Sequence, residues 1–194
     1  EFVKNIPRIP FARKEDLIIS VGRIGSYQKN NQMLLEALLR VDLKLWKVVF
    51  IGPIAESFQQ YISDLFEKNP AYKESISFTG SIENRTALYD WYNRAKVFCL
   101  TSRSESFGIV FPEALFYGDF IITTDVYSSK EIVPSDEVGW IVDSDTDLSN
   151  RIQQIIDGKI DVGSTYEDRI THSLTFRWTH ILSHLHERIE LLDL

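Results

Sequence analysis

The 194-residue sequence contains one cysteine and no long apolar run. A single cysteine cannot form an intramolecular disulfide, which excludes a disulfide-stapled fold and fits a reducing compartment. Because Cys99 lies in the apolar run AKVFCL, we expect it to be buried and unreactive. No apolar run approaches the ~18 residues that a membrane-spanning helix needs, so the sequence predicts no membrane span.

An excess of positive charge is also missing, since the formal net charge is −7. Nucleic-acid binding requires a basic face, so we expect no nucleic-acid partner. A nucleotide is still compatible with this charge, because a diphosphate needs only a few local cations and N–H groups. The GxxxxGK[ST] and GxGxxG motifs are absent, which excludes a Walker loop and a dinucleotide fingerprint. No spacing typical of a metal site or of a Ser/His/Asp triad is visible.

Short apolar runs alternate with amphipathic segments along the chain. The predicted strands are LIISVG (17–22), KVVFIG (47–52), SISFTG (75–80), KVFCLT (96–101), FIITTD (120–125) and GWIVD (139–143). The predicted helices span 31–41, 58–69, 85–95, 108–118 and 147–158. Strands that are apolar throughout suit a parallel sheet covered on both faces. The pattern therefore predicts an α/β, doubly wound (Rossmann-like) parallel sheet of about six strands with helices on both faces.

The two ends of the chain differ from this alternating middle. Residues 1–16 contain two prolines and four basic residues without an apolar period, which predicts a polar connector. Residues 17–175 hold the predicted sheet and its helices. The segment 176–194 carries an apolar stripe at helical spacing, which predicts a long amphipathic helix.

Candidate ligand-binding residues follow the predicted strands, because ligands of doubly wound sheets bind beyond the carboxyl ends of the strands. The loops GRIGSYQKNN, TGSIEN and TSRSESFG should therefore converge at one edge. The first loop combines Gly22 and Gly25 with Arg23 and Lys29 ahead of a helix. This suits an anion, because the backbone can approach closely and two side chains supply charge. Taken alone, the same pattern also describes a surface loop with ordinary solvated cations.

The segment SRSESFGIVFPEALFYGD places Glu105 and Glu113 eight positions apart. Because Pro112 is tolerated only near a helix start, we predict a helix that begins at Gly108 and turns its first N–H groups toward a ligand. Glu105 then precedes the helix, and Glu113 lies about one turn inside it. Two carboxylates on either side of a positive helix end match a nucleotide sugar, which has an anionic centre and hydroxyl groups at both ends. The alternative is that Glu105 caps the helix and Glu113 is solvated.

Together, these motifs resemble the nucleotide-sugar-binding half of retaining, family-four glycosyltransferases of the GT-B fold (glycosyl transferases group 1). The segments that carry the resemblance are LIISVGRIGSYQKNNQMLLEAL, VVFIGP, ISFTGSI, VFCLTSRSESFGIVFPEALFYGDFIITTD and EVGWIVD. The resemblance implies one half of a GT-B fold. Residues 1–16 would then be an interdomain linker, and the 176–194 helix would pack toward a missing N-terminal, acceptor-binding domain.

The resemblance also implies roles for individual positions. Arg23 and Lys29 would hold the donor diphosphate and stabilise the leaving group, Glu113 would bind the ribose hydroxyls, and Glu105 would lie beside the donor sugar without acting as a nucleophile. Glu105, Arg23 and Lys29 would be the catalytic residues, and no metal or other cofactor would be needed. The implied donor-binding residues are Gly22, Arg23, Lys29, Ser81, Ile82, Glu105, Phe107, Gly108, Ile109, Val110 and Glu113.

The implied activity is transfer of a hexose from a nucleoside-diphosphate sugar to a glycan or lipid-linked acceptor, with retention of anomeric configuration, in polysaccharide or glycoconjugate synthesis. The full-length enzyme would be cytoplasmic or peripheral at the inner face of the membrane, touching it only through the missing domain. This chain alone would bind donor without turnover.

Alternative functions are a non-catalytic nucleotide-sugar-binding module, a GT-B-fold epimerase or phosphorylase, and a flavodoxin-like signalling domain. The joint presence of Arg23, Lys29, Glu105 and Glu113 weighs against the module. A signalling domain would need an acidic cluster after the first strand, where Gly22 and Arg23 stand instead.

Overall fold

The computed structural model describes residues 7–177, and the statements below concern that part of the chain. The first six residues of the predicted connector lie outside it. So does the predicted amphipathic helix from residue 178 onward, whose expected packing toward another domain stays a prediction.

Six strands form one parallel sheet. They are β1 (Leu17–Val21), β2 (Lys47–Ile51), β3 (Ile76–Gly80), β4 (Val97–Leu100), β5 (Phe120–Thr124) and β6 (Gly139–Val142). Their order is β3-β2-β1-β4-β5-β6, and every neighbouring pair is parallel. All residues of β1 and β4 are buried, which explains why both runs are apolar except at Ser20. Each strand lies inside the range predicted for it, so the predicted doubly wound sheet is confirmed.

Seven α-helices connect or flank the strands. They are α1 (Asn31–Leu38), α2 (Glu56–Lys68), α3 (Arg85–Arg94), α4 (Val110–Phe116), α5 (Ser129–Ile132), α6 (Asp145–Ile156) and α7 (Tyr166–Ser173). Short 3-10 helices lie at Phe11–Arg13, Pro70–Glu74 and Leu174–Phe176. The sequence pattern did not predict α5 and α7.

The helices cover both faces of the sheet, and β1 shows how. Its Ile18 side chain joins a core cluster formed with α1, α2 and α6, where Leu34 and Ile152 are fully buried. Ile19, the next residue, joins the opposite cluster, formed with α3 and α4. Successive side chains of a strand point to opposite faces, so one strand contributes to both cores.

Helix α7 was missed because it buries few apolar side chains and its most deeply buried residue is an arginine. The Arg169 side chain is fully buried, and its Nε donates to the Gly118 carbonyl at 2.8 Å. A second nitrogen donates to the Val162 carbonyl at 2.6 Å. Hydrogen bonds therefore anchor α7, and apolar periodicity cannot detect such an anchor.

The segment before β1 packs on the domain more closely than a polar connector would. The Asn93 side chain accepts from the Ile9 N–H and donates to the Pro7 carbonyl, both at 3.0 Å. The Lys14 side chain is fully buried and contacts Asp119 Oδ1 at 2.7 Å. The segment is thus attached to α3 and to the residue before β5, although its sequence carries no apolar period.

The strand order reverses its direction between β1 and β4. The chain proceeds from β1 to β2 and β3 on one side, then crosses to β4 and proceeds to β5 and β6 on the other. Ligands of doubly wound sheets bind in the crevice at the carboxyl ends of such a strand pair. The loops that follow β1 and β4 are therefore the first place to look for a site.

Candidate functional site

The loops after β1 and β4 are hydrogen-bonded to each other. The Arg103 N–H donates to the Gln28 carbonyl at 2.8 Å. Gln28 Nε2 in turn donates to the Ser104 carbonyl at 3.0 Å. The Thr101 hydroxyl donates to the Asn30 carbonyl at 3.0 Å. The two loops therefore form one fixed unit at the point where the strand order reverses.

Lys29 and Glu105 meet at this unit. Lys29 Nζ lies 2.5 Å from Glu105 Oε1, and the two side chains are 12% and 7% exposed. The Ser102 hydroxyl donates to the same oxygen at 2.6 Å. No residue in the range 7–177 donates to Glu105 Oε2. Glu105 accepts from side chains rather than from the start of α4, which opposes the alternative that it caps the helix.

Two glycines make the close approach of these loops feasible. A Cβ on Gly22, whose φ is +154°, would lie 3.0 Å from Lys29 Cε. A Cβ on Gly52, after β2, would lie 1.9 Å from the Gly22 carbonyl oxygen. Gly22 thus leaves the space through which Lys29 reaches Glu105, and Gly52 lets the loop after β1 pack on the end of β2.

Arg23 belongs to the same loop and is exposed. Its guanidinium donates to Gln28 Oε1 at 3.0 Å, and Gln28 is the residue that bridges to the loop after β4. Arg103, from that second loop, places its guanidinium 4.4 Å from the centre of the Tyr27 ring. The sequence patterns did not indicate Arg103 as a site residue. Its place in the loop that follows β4 was the feature that could have pointed to it.

The chain enters α4 through a left-handed turn. Gly108 has a φ of +70°, so it cannot be helical, and α4 begins at Val110, two residues later than predicted. Among the described residues, the N–H groups of Gly108, Ile109 and Val110 have no acceptor. Pro112 is the third residue of α4, where its missing N–H costs no helical hydrogen bond. Phe107 precedes this turn, and its carbonyl accepts from the Ser128 hydroxyl at 3.0 Å.

Glu113 lies inside α4 with a side chain that is 5% exposed, which is contrary to the alternative that it is solvated. Arg85 NH1 donates to its Oε1 at 2.8 Å, and the Tyr92 hydroxyl donates to its Oε2 at 3.2 Å. Burial raises the pKa of Glu113, while the Arg85 charge and the Tyr92 hydrogen bond oppose that rise.

Arg85 and Tyr92 are contact residues that the sequence patterns did not indicate. Both belong to α3, and their separation of seven residues, about two turns, puts them on one face of that helix. Asn84 caps α3 by accepting from the Thr86 N–H at 2.9 Å. The signal in the sequence was a cation at the start of a helix that follows a strand, next to the predicted Ser81 and Ile82.

Ser81 and Ile82 lie at the same edge of the sheet, between β3 and α3. Ser81 is exposed, and Ile82 is half-buried against the core cluster of α3 and α4. The Gly80 carbonyl just before them accepts from the Gly52 N–H at 3.0 Å, which ties this loop to the loop after β2. All three predicted loops therefore reach one edge, although no described contact joins Ser81 or Ile82 to Lys29.

Neither a metal site nor a membrane span is found within residues 7–177. No three His, Cys, Asp or Glu side chains in this range group around a point where a metal ion could be held. No helix in it has the length and apolar character needed to cross a membrane. That the activity needs no cofactor stays a prediction.

The same fold occurs in solved glycosyltransferases. The pneumococcal O-GlcNAc transferase GtfA, solved with UDP and GlcNAc, matches with a TM-score of 0.76 at 19% identity, over 92% of this chain and 36% of that chain. The C-terminal domain of a glycosyl transferase group 1 family protein (LpcC) from Francisella tularensis matches with a TM-score of 0.69 at 22% identity, over 86% of this chain and 90% of that one. The predicted half of a GT-B fold is thereby confirmed.

Sequence comparison identifies the family. The model of the family Glycosyl transferases group 1 matches residues 2–170, and the chain belongs to this family. It is 29% identical over 140 residues to the GalNAc-alpha-(1->4)-GalNAc-alpha-(1->3)-diNAcBac-PP-undecaprenol alpha-1,4-N-acetyl-D-galactosaminyltransferase of Campylobacter jejuni, covering 70% of this chain and 36% of that protein. An uncharacterized 41.2 kDa protein in the cps region of Klebsiella pneumoniae is 29% identical over 140 residues, covering 72% of this chain and 36% of that protein. The chain thus spans about a third of the length of these relatives.

Proposed function

We propose that this chain is the donor-binding part of a glycosyltransferase that moves a hexose from a nucleoside-diphosphate sugar to an acceptor. The observation that carries the proposal is the Lys29–Glu105 pair, held by two hydrogen-bonded loops where the strand order reverses. Membership of the glycosyltransferase family supports it. Structural neighbours solved with UDP support a uridine nucleotide as the first donor to test.

The chemistry that these residues supply is stabilisation of a leaving group. Cleavage of the bond between the anomeric carbon and the phosphate oxygen leaves growing negative charge on the diphosphate. Arg23, Lys29 and the N–H groups at the start of α4 are positive groups that meet this charge as it develops. Because Lys29 is largely buried, its attraction to the phosphate is less screened than it would be in water. This electrostatic role needs no metal ion.

The two carboxylates have different proposed roles in donor binding. Glu113 accepts hydrogen bonds from the ribose hydroxyls of the nucleotide, and Glu105 accepts from a hydroxyl of the donor sugar through its Oε2. Glu105 Oε1 already accepts from Lys29 and Ser102, so the carboxylate is oriented before the sugar arrives. The reaction retains the anomeric configuration without a covalent bond to Glu105.

The acceptor is a glycan or lipid-linked sugar, and the process is polysaccharide or glycoconjugate synthesis. The names of the relatives support this, because one acts on an undecaprenol-linked sugar and the other comes from a cps region. The chain spans about a third of these relatives, so the acceptor site is assigned to a domain beyond it. The chain alone is expected to bind donor and to transfer nothing.

Calorimetric titration of the chain with UDP, GDP and ADP, and then with their sugars, tests the proposal. We expect at least one nucleoside diphosphate to bind, and Glu113→Ala to weaken that binding about tenfold or more, because charged hydrogen bonds to the ribose are lost. Glu67→Ala, on the exposed face of α2, is the control and should bind as the native chain does. The site assignment is wrong if no nucleoside diphosphate binds, or if Glu113→Ala leaves binding unchanged.

A further inference from the structure

Arg85 lies at the start of α3 and reaches across to Glu113 on α4. We propose that Arg85 is a positioning residue of the donor site, which holds Glu113 as an anionic acceptor for the two ribose hydroxyls. The inference rests on the proposed function and deepens it. It makes recognition of the ribose depend on a residue that follows β3, outside the two loops that carry Lys29 and Glu105.

The position of the Glu113 carboxylate is fixed by one face of α3. Arg85 NH1 contacts Oε1 at 2.8 Å, and the Tyr92 hydroxyl contacts Oε2 at 3.2 Å. Tyr92 is fully buried, so it cannot move without disturbing the core. Each carboxylate oxygen is therefore held by a different residue, and the rotation of the carboxylate is set before any ligand binds.

This arrangement leaves an unused lone pair on each oxygen. An ionised carboxylate offers about four lone-pair positions, two on each oxygen. Arg85 and Tyr92 each occupy one of these on their own oxygen, so one acceptor position per oxygen remains. The vicinal 2′- and 3′-hydroxyls of a ribose present two donors side by side, which matches two adjacent acceptor oxygens. Arg85 need not leave Glu113 for the ribose to bind.

Arg85 also sets the charge of this carboxylate. The Glu113 side chain is 5% exposed, whereas that of Arg85 is 56% exposed. Burial raises the pKa of Glu113, and the Arg85 charge is the largest influence that lowers it. Tyr89 on α3 and Tyr117 after α4 also face the carboxylate, but burial and the Glu113 charge raise the pKa values of both phenols, which therefore stay neutral.

Removal of Arg85 should consequently leave a buried carboxyl without a counter-charge. Its pKa would rise further, which favours the protonated form of the carboxyl. A protonated carboxyl turns one acceptor oxygen into a donor, so it can no longer accept from both ribose hydroxyls. Raising the pH through the elevated pKa would remove the proton and restore both acceptors.

The test compares Arg85→Met and Arg85→Lys with the native chain by calorimetry. The ligands are whichever of UDP, GDP and ADP binds the native chain most tightly, and its 2′-deoxy counterpart. The affinity of each variant is divided by that of the native chain at the same pH, so that effects of ligand ionisation on affinity cancel.

Near pH 7 we expect Arg85→Met to bind the ribonucleotide about tenfold more weakly and to lose the preference for it over the deoxy form. Near pH 8.5 the deficit should shrink as the carboxyl of Glu113 ionises. Arg85→Lys, which keeps a cation, should retain most of the affinity.

Arg40→Met is the matched control. Arg40 is 51% exposed and lies 2.8 Å from its partner Asp145, and neither residue belongs to the candidate site. It should bind like the native chain. The inference is overturned if Arg85→Met binds normally at both pH values. It is also overturned if Arg85→Met binds the ribonucleotide equally weakly at both pH values and still prefers it over the deoxy form. Arg85 would then contact the ligand directly. A native chain that binds none of the three nucleotides would overturn the proposed function as well.

Discussion

Lys29 is the cation that the described structure constrains most tightly at the candidate site. It is largely buried, it contacts Glu105, and it passes through the space that Gly22 leaves open. Arg23, by contrast, is exposed and held by Gln28. At the scale of single residues, Lys29 therefore has the better defined position for contact with a diphosphate.

Lys29→Met tests this difference. We expect the affinity of the chain for a nucleoside diphosphate to fall about tenfold or more, because a partly desolvated charge on the phosphate is lost. Calorimetry measures the change. Lys159→Met removes an exposed lysine paired with Asp157 and should leave the affinity unchanged. Equal affinities of Lys29→Met and the native chain would exclude a phosphate contact by Lys29.

Cys99 lies in the centre of β4 and is fully buried. Burial raises the pKa of its thiol, so a reactive thiolate is not available in the folded state. A disulfide reagent such as dithionitrobenzoate, followed by absorbance, should leave the folded chain unmodified and react once urea unfolds it. Rapid modification of the folded chain would contradict the buried position of β4.

At the scale of elements, the site depends on how closely strand ends approach one another. The Gly22 N–H donates to the Ile51 carbonyl at 2.9 Å, and Gly52 lies directly against the Gly22 backbone. The loop that carries Arg23 and Lys29 is thus placed by the end of β2 as well as by β1. A side chain at Gly52 would push these two strand ends apart.

Gly52→Ala should therefore destabilise the chain by about 2 kcal/mol or more, because the new Cβ overlaps backbone that cannot move aside cheaply. Urea unfolding followed by circular dichroism measures the loss. Gly158→Ala is the control, since Gly158 also has a positive φ but a Cβ there meets no atom within 4 Å. If both variants lose the same stability, backbone strain rather than contact with Gly22 explains the effect.

Most of the strands were predictable because burial on both faces makes them largely apolar runs, as in VFCL of β4. Only β3 differs, since just one of its five residues is buried. The Lys29–Glu105 contact was foreseen only as the convergence of two loops, since spacing within each loop says nothing about distances between them. Arg85 and Tyr92 were not foreseen as partners of Glu113. They belong to a different helix, 28 and 21 residues earlier, and periodicity along one element cannot report contacts with another.

At the scale of the whole molecule, a buried polar cluster joins four distant parts of the chain. Lys14 from the segment before β1 contacts Asp119, which precedes β5, and donates to the Ala95 carbonyl at 2.6 Å. Arg169 of α7 donates to the Gly118 carbonyl beside them. Burial raises the pKa of Asp119 to about 7, although Lys14 and Arg169 oppose the rise. The segment before β1 is therefore part of the folded domain.

Lys14→Met should lower the free energy of unfolding by about 3 kcal/mol, because Asp119 and the Ala95 carbonyl would stay buried without their partner. Urea unfolding measures this loss. Lys96→Met removes a lysine from a more exposed pair with Asp16 and should cost less than about 1 kcal/mol. Similar small losses for both variants would show that the segment before β1 is not held by Lys14.

The most direct test of the central claim is a crystal structure of the chain with the nucleoside diphosphate that it binds most tightly. We predict phosphate oxygens within hydrogen-bonding distance of Arg23 and Lys29, and ribose hydroxyls on the Glu113 carboxylate with Arg85 in place. A nucleotide bound elsewhere, for example in the groove between residues 39–44 and Tyr72, with Lys29 and Glu113 untouched, would contradict the account.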